Sequence, residues 1–222
     1  MTSMAPTLTE RWPRRAACRG LTLLAALGVV ALATSALPRS DARAAAVGSA
    51  SDDLRPAVEQ AVHVLTDPGL AGPERKARRQ AALGKVMEGA IDFPEAARRA
   101  LGVHWAARTP AERDEFVRLF KNLVIESYTV QLDGVGVERV VFLGESSDDG
   151  AVTVHTRADS RQQRPSVPID YRMHRRDSQW LVYDVLVEGV SLVGNYRAQF
   201  NTVIRTKSYA ELLRRMRAHA TD

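Results

Sequence analysis

The residues of this chain that could do chemistry gather in one stretch, Trp180 to Phe200, WLVYDVLVEGVSLVGNYRAQF. Ser191, within Gly189-Val190-Ser191-Leu192-Val193, has the start of a nucleophile elbow, where a serine on a tight strand-to-helix turn attacks an acyl carbon. The second glycine of that G-x-S-x-G pattern is missing, so Ser191 is expected to cap the helix behind it. Asp184 and Glu188 are spaced to share one face of a strand, where two carboxylates can serve as general acid and base. Such a pair needs a cleft that drives the two pKa values apart, and nothing else in the sequence supplies one. Structural pairing with Arg172 or Arg197 is the expected role of these acids. His63, His104, His155, His174 and His219 are scattered, without the His-x-x-x-His or His-x-x-Glu spacing that a metal ion requires. No glycine-rich phosphate loop occurs, and Gly134 and Gly136 read as a helix stop and a strand start. The expectation is a protein without catalytic residues, bound metal or cofactor.

Processing narrows the class further. Arg11, Arg14, Arg15 and Arg19 precede an uncharged, mostly apolar run from Leu21 to Leu37, and Ala42-Arg43-Ala44 then offers small residues at signal-peptidase spacing. Basic, apolar, then small is the order of a secretory signal. The reading is a signal peptide over residues 1–44, removed on export, a linker over 45–53 and one domain over 54–222. A membrane anchor is the rival, since the run approaches spanning length, but its Ala, Gly and Thr content and the processing site favour cleavage. Cys18 is the lone cysteine and leaves with the signal, so the mature chain is expected to have neither disulfide nor thiol chemistry. Residues 1–44 hold six arginines against Glu10 and Asp41, so the formal charge of +5 falls to +1 without them. A nucleic-acid binder, which draws affinity from a basic face, is not indicated.

The elements that must position these residues follow from periodicity. At 45% hydrophobic and 26% charged, the composition is that of a globular chain. Helical spacing runs through Leu54, Val58, Ala61, Val62 and Leu65 to Asp67-Pro68-Gly69, then from Pro73 to Ala90, then in a short helix from Asp92-Phe93-Pro94 to Leu101-Gly102. Thr109-Pro110-Ala111-Glu112 combines a capping threonine, proline at the first helical position and glutamate at the third. It opens a long helix with Phe116, Leu119, Phe120, Leu123, Val124, Tyr128 and Leu132 on one side, expected to stop at Asp133-Gly134. The period then becomes two, and Val137–Leu143, Ala151–Ala158, Val167–Met173 and Gln179–Val187 read as four strands on short loops, hence antiparallel. After Gly189, Leu192, Tyr196, Phe200, Val203 and Ile204 resume helical spacing, and Ser208 with Glu211 starts a last helix. The predicted fold is α+β, with helices packed on one antiparallel four-stranded sheet.

Taken together, these segments resemble one family. The run WLVYDVLVEGVSLVGNYRAQF, Leu101-Gly102-x-x-Trp105, the helix Thr109-Pro110-x-x-Arg113-x-x-Phe116-x-x-x-Phe120 and the strand Val167-Pro168-Ile169-Asp170-Tyr171 resemble the MlaC family. These are the toluene-tolerance or Mla-pathway phospholipid-binding proteins of the Gram-negative periplasm. The resemblance spans nearly the whole mature chain, and W-x-V-Y-D-V-x-x-E-G-V-S is its most specific part. It implies a periplasmic, monomeric carrier that moves phospholipid between an inner-membrane ABC transporter complex and an outer-membrane lipoprotein complex, in the service of outer-membrane lipid asymmetry. A closely similar branch accompanies hopanoid production, and the sequence leaves both branches open.

A lipid carrier needs an apolar cavity, and here it would lie between the sheet and the helices. The candidate lining is Leu119, Leu123 and Tyr128 of the long helix, Val167, Ile169 and Tyr171 of the third strand, Val185, Val187 and Val190 of the central stretch, and Tyr196 behind it. Alternating and helical spacing mark these residues for burial, in a filled core as much as in a lined void. A competing class is a small secreted α+β enzyme with the cavity as active site, which requires titratable side chains converging there. A third is an interaction module held by an uncleaved Leu21–Leu37 helix.

Overall fold

The computed structural model describes residues 48–148, 150–160 and 166–219, the side chains of 130–135 and 219 excepted. The signal-peptide, cleavage and Cys18 readings and the side chain of Leu132 lie outside the described residues. The elements follow in the order α1 (Ala50–Thr66), α2 (Lys76–Ala90), α3 (Phe93–Leu101), α4 (Pro110–Val135), β1 (Val137–Asp148), β2 (Ala151–Ser160), β3 (Val167–Arg176), β4 (Gln179–Val187), β5 (Val190–Ser191), α5 (Leu192–Thr206) and α6 (Tyr209–His219).

The helix starts follow local chemistry. Ser49 Oγ accepts from Asp52 N at 3.1 Å, and the Asp52 carboxylate accepts from Ser49 N at 3.2 Å, so two orphan donors of α1 are satisfied reciprocally. Residues 50–53, expected in a linker, are instead the first turn of α1, where their acids serve the helix start. Pro73 opens a 3-10 turn, and α2 begins at Lys76. Thr109 and Glu112 form the expected reciprocal cap of α4, with Thr109 N donating to Glu112 Oε2 at 2.8 Å. The helix does not stop at Asp133-Gly134. It ends at Gly136, whose φ of 64° and ψ of 43° are the left-handed geometry that side chains resist.

The sheet is an antiparallel meander in the order β1-β2-β3-β4-β5. It has five strands where four were expected. Val190 and Ser191 pair back onto Val187 and Leu186 through Glu188 and Gly189, whose φ values of 52° and 79° make a primed two-residue hairpin turn. A strand of two residues is too short to show alternation. β1 is also longer than expected: Ser146, Ser147 and Asp148, read as loop, pair with Thr153, Val152 and Ala151. In β4 the register slips between the Arg172↔Asp184 and Met173↔Val182 pairs, leaving Tyr183 as a bulge.

Two separate cores follow. α1 lies on one end of the sheet, where Ala50, Leu54 and Val58 pack against Val152, Val154, Met173 and Val182. Arg55 stacks over the Phe142 ring at 4.1 Å, and Asp53 accepts from Trp180 N at 2.8 Å, pinning α1 to both β1 and β4. The second core joins α3, α4, α5 and α6 around Phe116, Phe120 and Phe200. α2 meets α4 at Gly84, where an added Cβ would stand 3.1 Å from Ile125 Cγ2. No helix among the described residues is long and apolar enough to cross a membrane.

Candidate functional site

The strand-to-helix corner is organised by Asp184, which is 6% exposed. Its Oδ2 accepts from Ser191 Oγ at 2.7 Å and faces Arg172 Nη1 at 3.5 Å, while its Oδ1 accepts from Val193 N at 3.0 Å. Ser191 Oγ accepts in turn from Gly194 N at 2.8 Å. A carboxylate and a hydroxyl therefore satisfy the first donors of α5 and fasten it to β4. Ser191 is the N-cap that was expected, and its proton is committed to Asp184. The pairing of Asp184 with Arg172 is also as expected. Glu188 differs: it lies past the end of β4 in the hairpin turn, exposed, with its backbone N donating to Pro168 O at 3.0 Å. It shares no strand face with Asp184, so the acid pair does not form.

The ten residues expected to line a cavity separate into three groups. Val167, Ile169 and Tyr171 lie on the helix-facing side of β3, with Val187 opposite Ile169 and Val185 opposite Tyr171, and all five are half-buried. Tyr128 and Tyr196 meet between α4 and α5, with Ser127 beside them and their hydroxyls hydrogen-bonded. Burial first, then Tyr196 and the nearby Asp184 charge, hold the Tyr128 phenol well above its usual range. Burial alone pushes Tyr171 up to about 12. The third group does not fit. Leu119 is 3% exposed inside the aromatic core, with Leu123 packed against that core. Val190 is 49% exposed, because the hairpin turn sets β5 at the sheet edge.

α4 changes character along its length. Phe116, Leu119 and Phe120 are fully covered, whereas each residue from Lys121 to Tyr128 is half-buried. α1 packs closely on the sheet, but α4 makes no comparably close approach to any strand among the described residues. Thr156 was missed by the sequence reading. It is buried on the helix-facing side and donates to Ile169 O at 2.8 Å, and only its place in an apolar alternation could have marked it.

Two surface clefts flank Trp105. The first, about 460 Å³, is walled by Arg98, Arg99, Arg172, Tyr183, Asp184 and Arg197. The second, about 790 Å³, runs between the start of α3 and α4 over Ile91, Phe93 and Val117. Neither contains any of the ten expected lining residues.

A chemical grouping invisible in the sequence lies on the outer face of the sheet. His155 Nδ1 is 2.9 Å from Asp170 Oδ1, and His155 Nε2 is 2.9 Å from Ser146 Oγ. Three neighbouring strands supply one residue each, so antiparallel pairing alone brings them together. Serine, imidazole and carboxylate are the parts of a nucleophilic relay. A hydrolase also needs a substrate surface and donors aimed at an oxyanion, and neither cleft reaches this row. Among the described residues no group of three or more His, Cys, Asp or Glu is placed to hold a metal ion.

Helices on one side of an antiparallel meander, with an acid-capped strand-to-helix corner and half-buried apolar residues on α4, β3 and β4, define an α+β protein. Residues 55–218 match the family described as MlaC protein, and the chain belongs to that family. The structure is similar to that of a phospholipid-binding protein from Ralstonia solanacearum solved in complex with a phospholipid. The TM-score is 0.64 at 22% identity, over 79% of this chain and 100% of that one, which establishes a shared fold.

Proposed function

We propose that this protein is a periplasmic phospholipid carrier that holds acyl chains between α4 and the helix-facing side of the sheet. It carries lipid between an inner-membrane ABC transporter complex and an outer-membrane complex. The observation that carries this reading is a set of apolar residues on α4 and on the helix-facing side of the sheet that are half-buried rather than covered. Leu123, Val124, Ile125 and Tyr128 of α4 are half-buried, as are Val167, Ile169, Tyr171, Val185 and Val187, and among the described residues α4 approaches the strands less closely than α1 does. Tyr171 has uncovered surface yet lies deep enough that burial raises its phenol to about 12, the combination expected of a residue bordering internal space. Membership of the MlaC family and the fold shared with a protein solved with a phospholipid support the ligand class. The basic, apolar, small-residue order of residues 1–44 supports export.

The energetics fit a shuttle. At about 0.8 kcal/mol per CH₂, exposing a sixteen-carbon chain to water costs on the order of 12 kcal/mol, so a carrier must shield it. Handing the lipid on requires an interior no better than the bilayer. Tyr128, Tyr196 and Ser127 satisfy one another, leaving hydrocarbon contact as the dominant attraction.

The mature protein, purified from the periplasm, is expected to release phospholipid in native mass spectrometry and on solvent extraction. Protein that is repeatedly lipid-free and takes up nothing from vesicles would sink the proposal. Val167→Glu is expected to abolish lipid uptake with near-normal helical circular dichroism. Val190→Glu, on the exposed edge, is expected to keep its lipid.

A further inference from the structure

We propose that the cleft between α3, β4 and the start of α5 is a binding site for a phosphate group, carried by a phospholipid headgroup or as the free anion. The headgroup source rests on the carrier reading above. Four guanidinium groups wall the cleft: Arg98 and Arg99 from α3, Arg172 from β3 and Arg197 from α5. The lining contains one carboxylate, Asp184, and it is already occupied by Ser191 Oγ and Val193 N. Outside the lining, Glu95 holds Arg98 and Arg99 at 2.6 Å each. Two carboxylates thus face four arginines. Arg197 forms no ion pair with any described residue, and its stem rests against Gly102, where an added Cβ would stand 3.1 Å from Arg197 Cδ.

The shape of the cleft selects the ligand class. A concavity of about 460 Å³ is on the scale of a small polar group rather than a protein face. Guanidinium forks match phosphate oxygens two at a time, and excess positive charge in a cleft concentrates the attractive potential. Arg99 Cζ lies over the Tyr183 ring, 3.9 Å from its centroid, which anchors this guanidinium at the cleft wall. The donors at the start of α5 are spent on Asp184 and Ser191, so recognition falls to the arginine side chains. Asp184 lines the cleft and its charge also reaches the Tyr128 phenol, so the cleft lies near the tyrosine pair of α4 and α5. That adjacency suits a phosphodiester whose chains lie behind Asp184. Val103, 86% exposed, stands on the rim as an apolar contact for an amphiphile.

The test is an NMR titration of the mature protein with inorganic phosphate and, separately, with dihexanoylphosphatidylglycerol below its micelle concentration. Lipid content is followed in parallel by native mass spectrometry. Both ligands are expected to shift the amides of Gly102 and Gly194 and the Nε–H signals of Arg98 and Arg197. Arg197→Gln, an exposed change that breaks no described ion pair, is expected to weaken both at least about tenfold, with unchanged circular dichroism. Response to inorganic phosphate alone supports the site and assigns it to the free anion. No shift at these positions, or shifts that Arg197→Gln leaves unchanged, would overturn the proposal. Phosphate binding in a protein that carries no lipid would remove the carrier reading and keep the site.

Discussion

In its first half α4 presses Phe116, Leu119 and Phe120 into α3, α5 and α6, where the rings of Phe116, Phe120 and Phe200 stand 5.7 to 6.1 Å apart. In its second half the same helix carries Leu123 to Tyr128 half-covered, as are Val167, Ile169 and Tyr171 of the sheet. Close aromatic packing makes the first region a scaffold that fixes α5 and α6. The second leaves Leu123, Val124 and Ile125 only half-covered, although Leu123 and Val124 still touch the aromatic core, and uncovered apolar surface is where a guest of similar polarity gains most. One amphipathic helix thus builds the scaffold at one end and, in the proposed carrier, the binding surface at the other.

Each half of α4 can be perturbed separately. Phe116→Ala removes a ring that is wholly buried among three other aromatics, and a loss of about 3–5 kcal/mol in urea-unfolding stability is expected. Asp184→Ala leaves Val193 N and the Ser191 hydroxyl without their acceptor, and about 2–3 kcal/mol is expected from the same measurement. Ile169→Ala should cost under about 1 kcal/mol in lipid-stripped protein if that face borders open space. A cost of about 3 kcal/mol would instead show a filled core there and erase the contrast between the two halves.

A subtler difference appears in alkali. Burial holds the phenols of Tyr171 and Tyr209 at about 12, above the ordinary 10.0, so both remain neutral in the folded protein while the unfolded chain ionises. Stability is therefore intact below about pH 10 and declines as pH rises towards about 12. Tyrosinate absorbance should climb late, with the unfolding transition, and Tyr171→Phe should soften the decline. An early, reversible rise at pH 10 for every tyrosine would contradict that burial.

Much of this arrangement was legible along the chain. The Thr109–Glu112 cap, Ser191 as an N-cap, Asp184 with Arg172 and the alternation of β2, β3 and β4 are consequences of neighbours in sequence or of strict periodicity. β5 was not legible, because two residues cannot show a period, and with it went the placement of Val190 and Glu188. Leu119 was assigned to the lining on helical spacing that it shares with Leu123. Spacing reports which side of a helix turns inward and carries no information on what meets it.

Chain order alone encoded most of the local elements, the capped starts of α4 and α5, the apolar faces and the family. These depend on backbone preferences and on contacts a few residues apart, and the chain order encodes them directly. Tertiary packing decided that α4 is covered by an aromatic core at one end and left half-covered at the other. It also decided that Arg98, Arg99, Arg172 and Arg197 face one cleft, and that Ser146, His155 and Asp170 form a row. Those groupings join residues tens of positions apart. Their distances are set by strand register and helix packing, which no window along the chain contains.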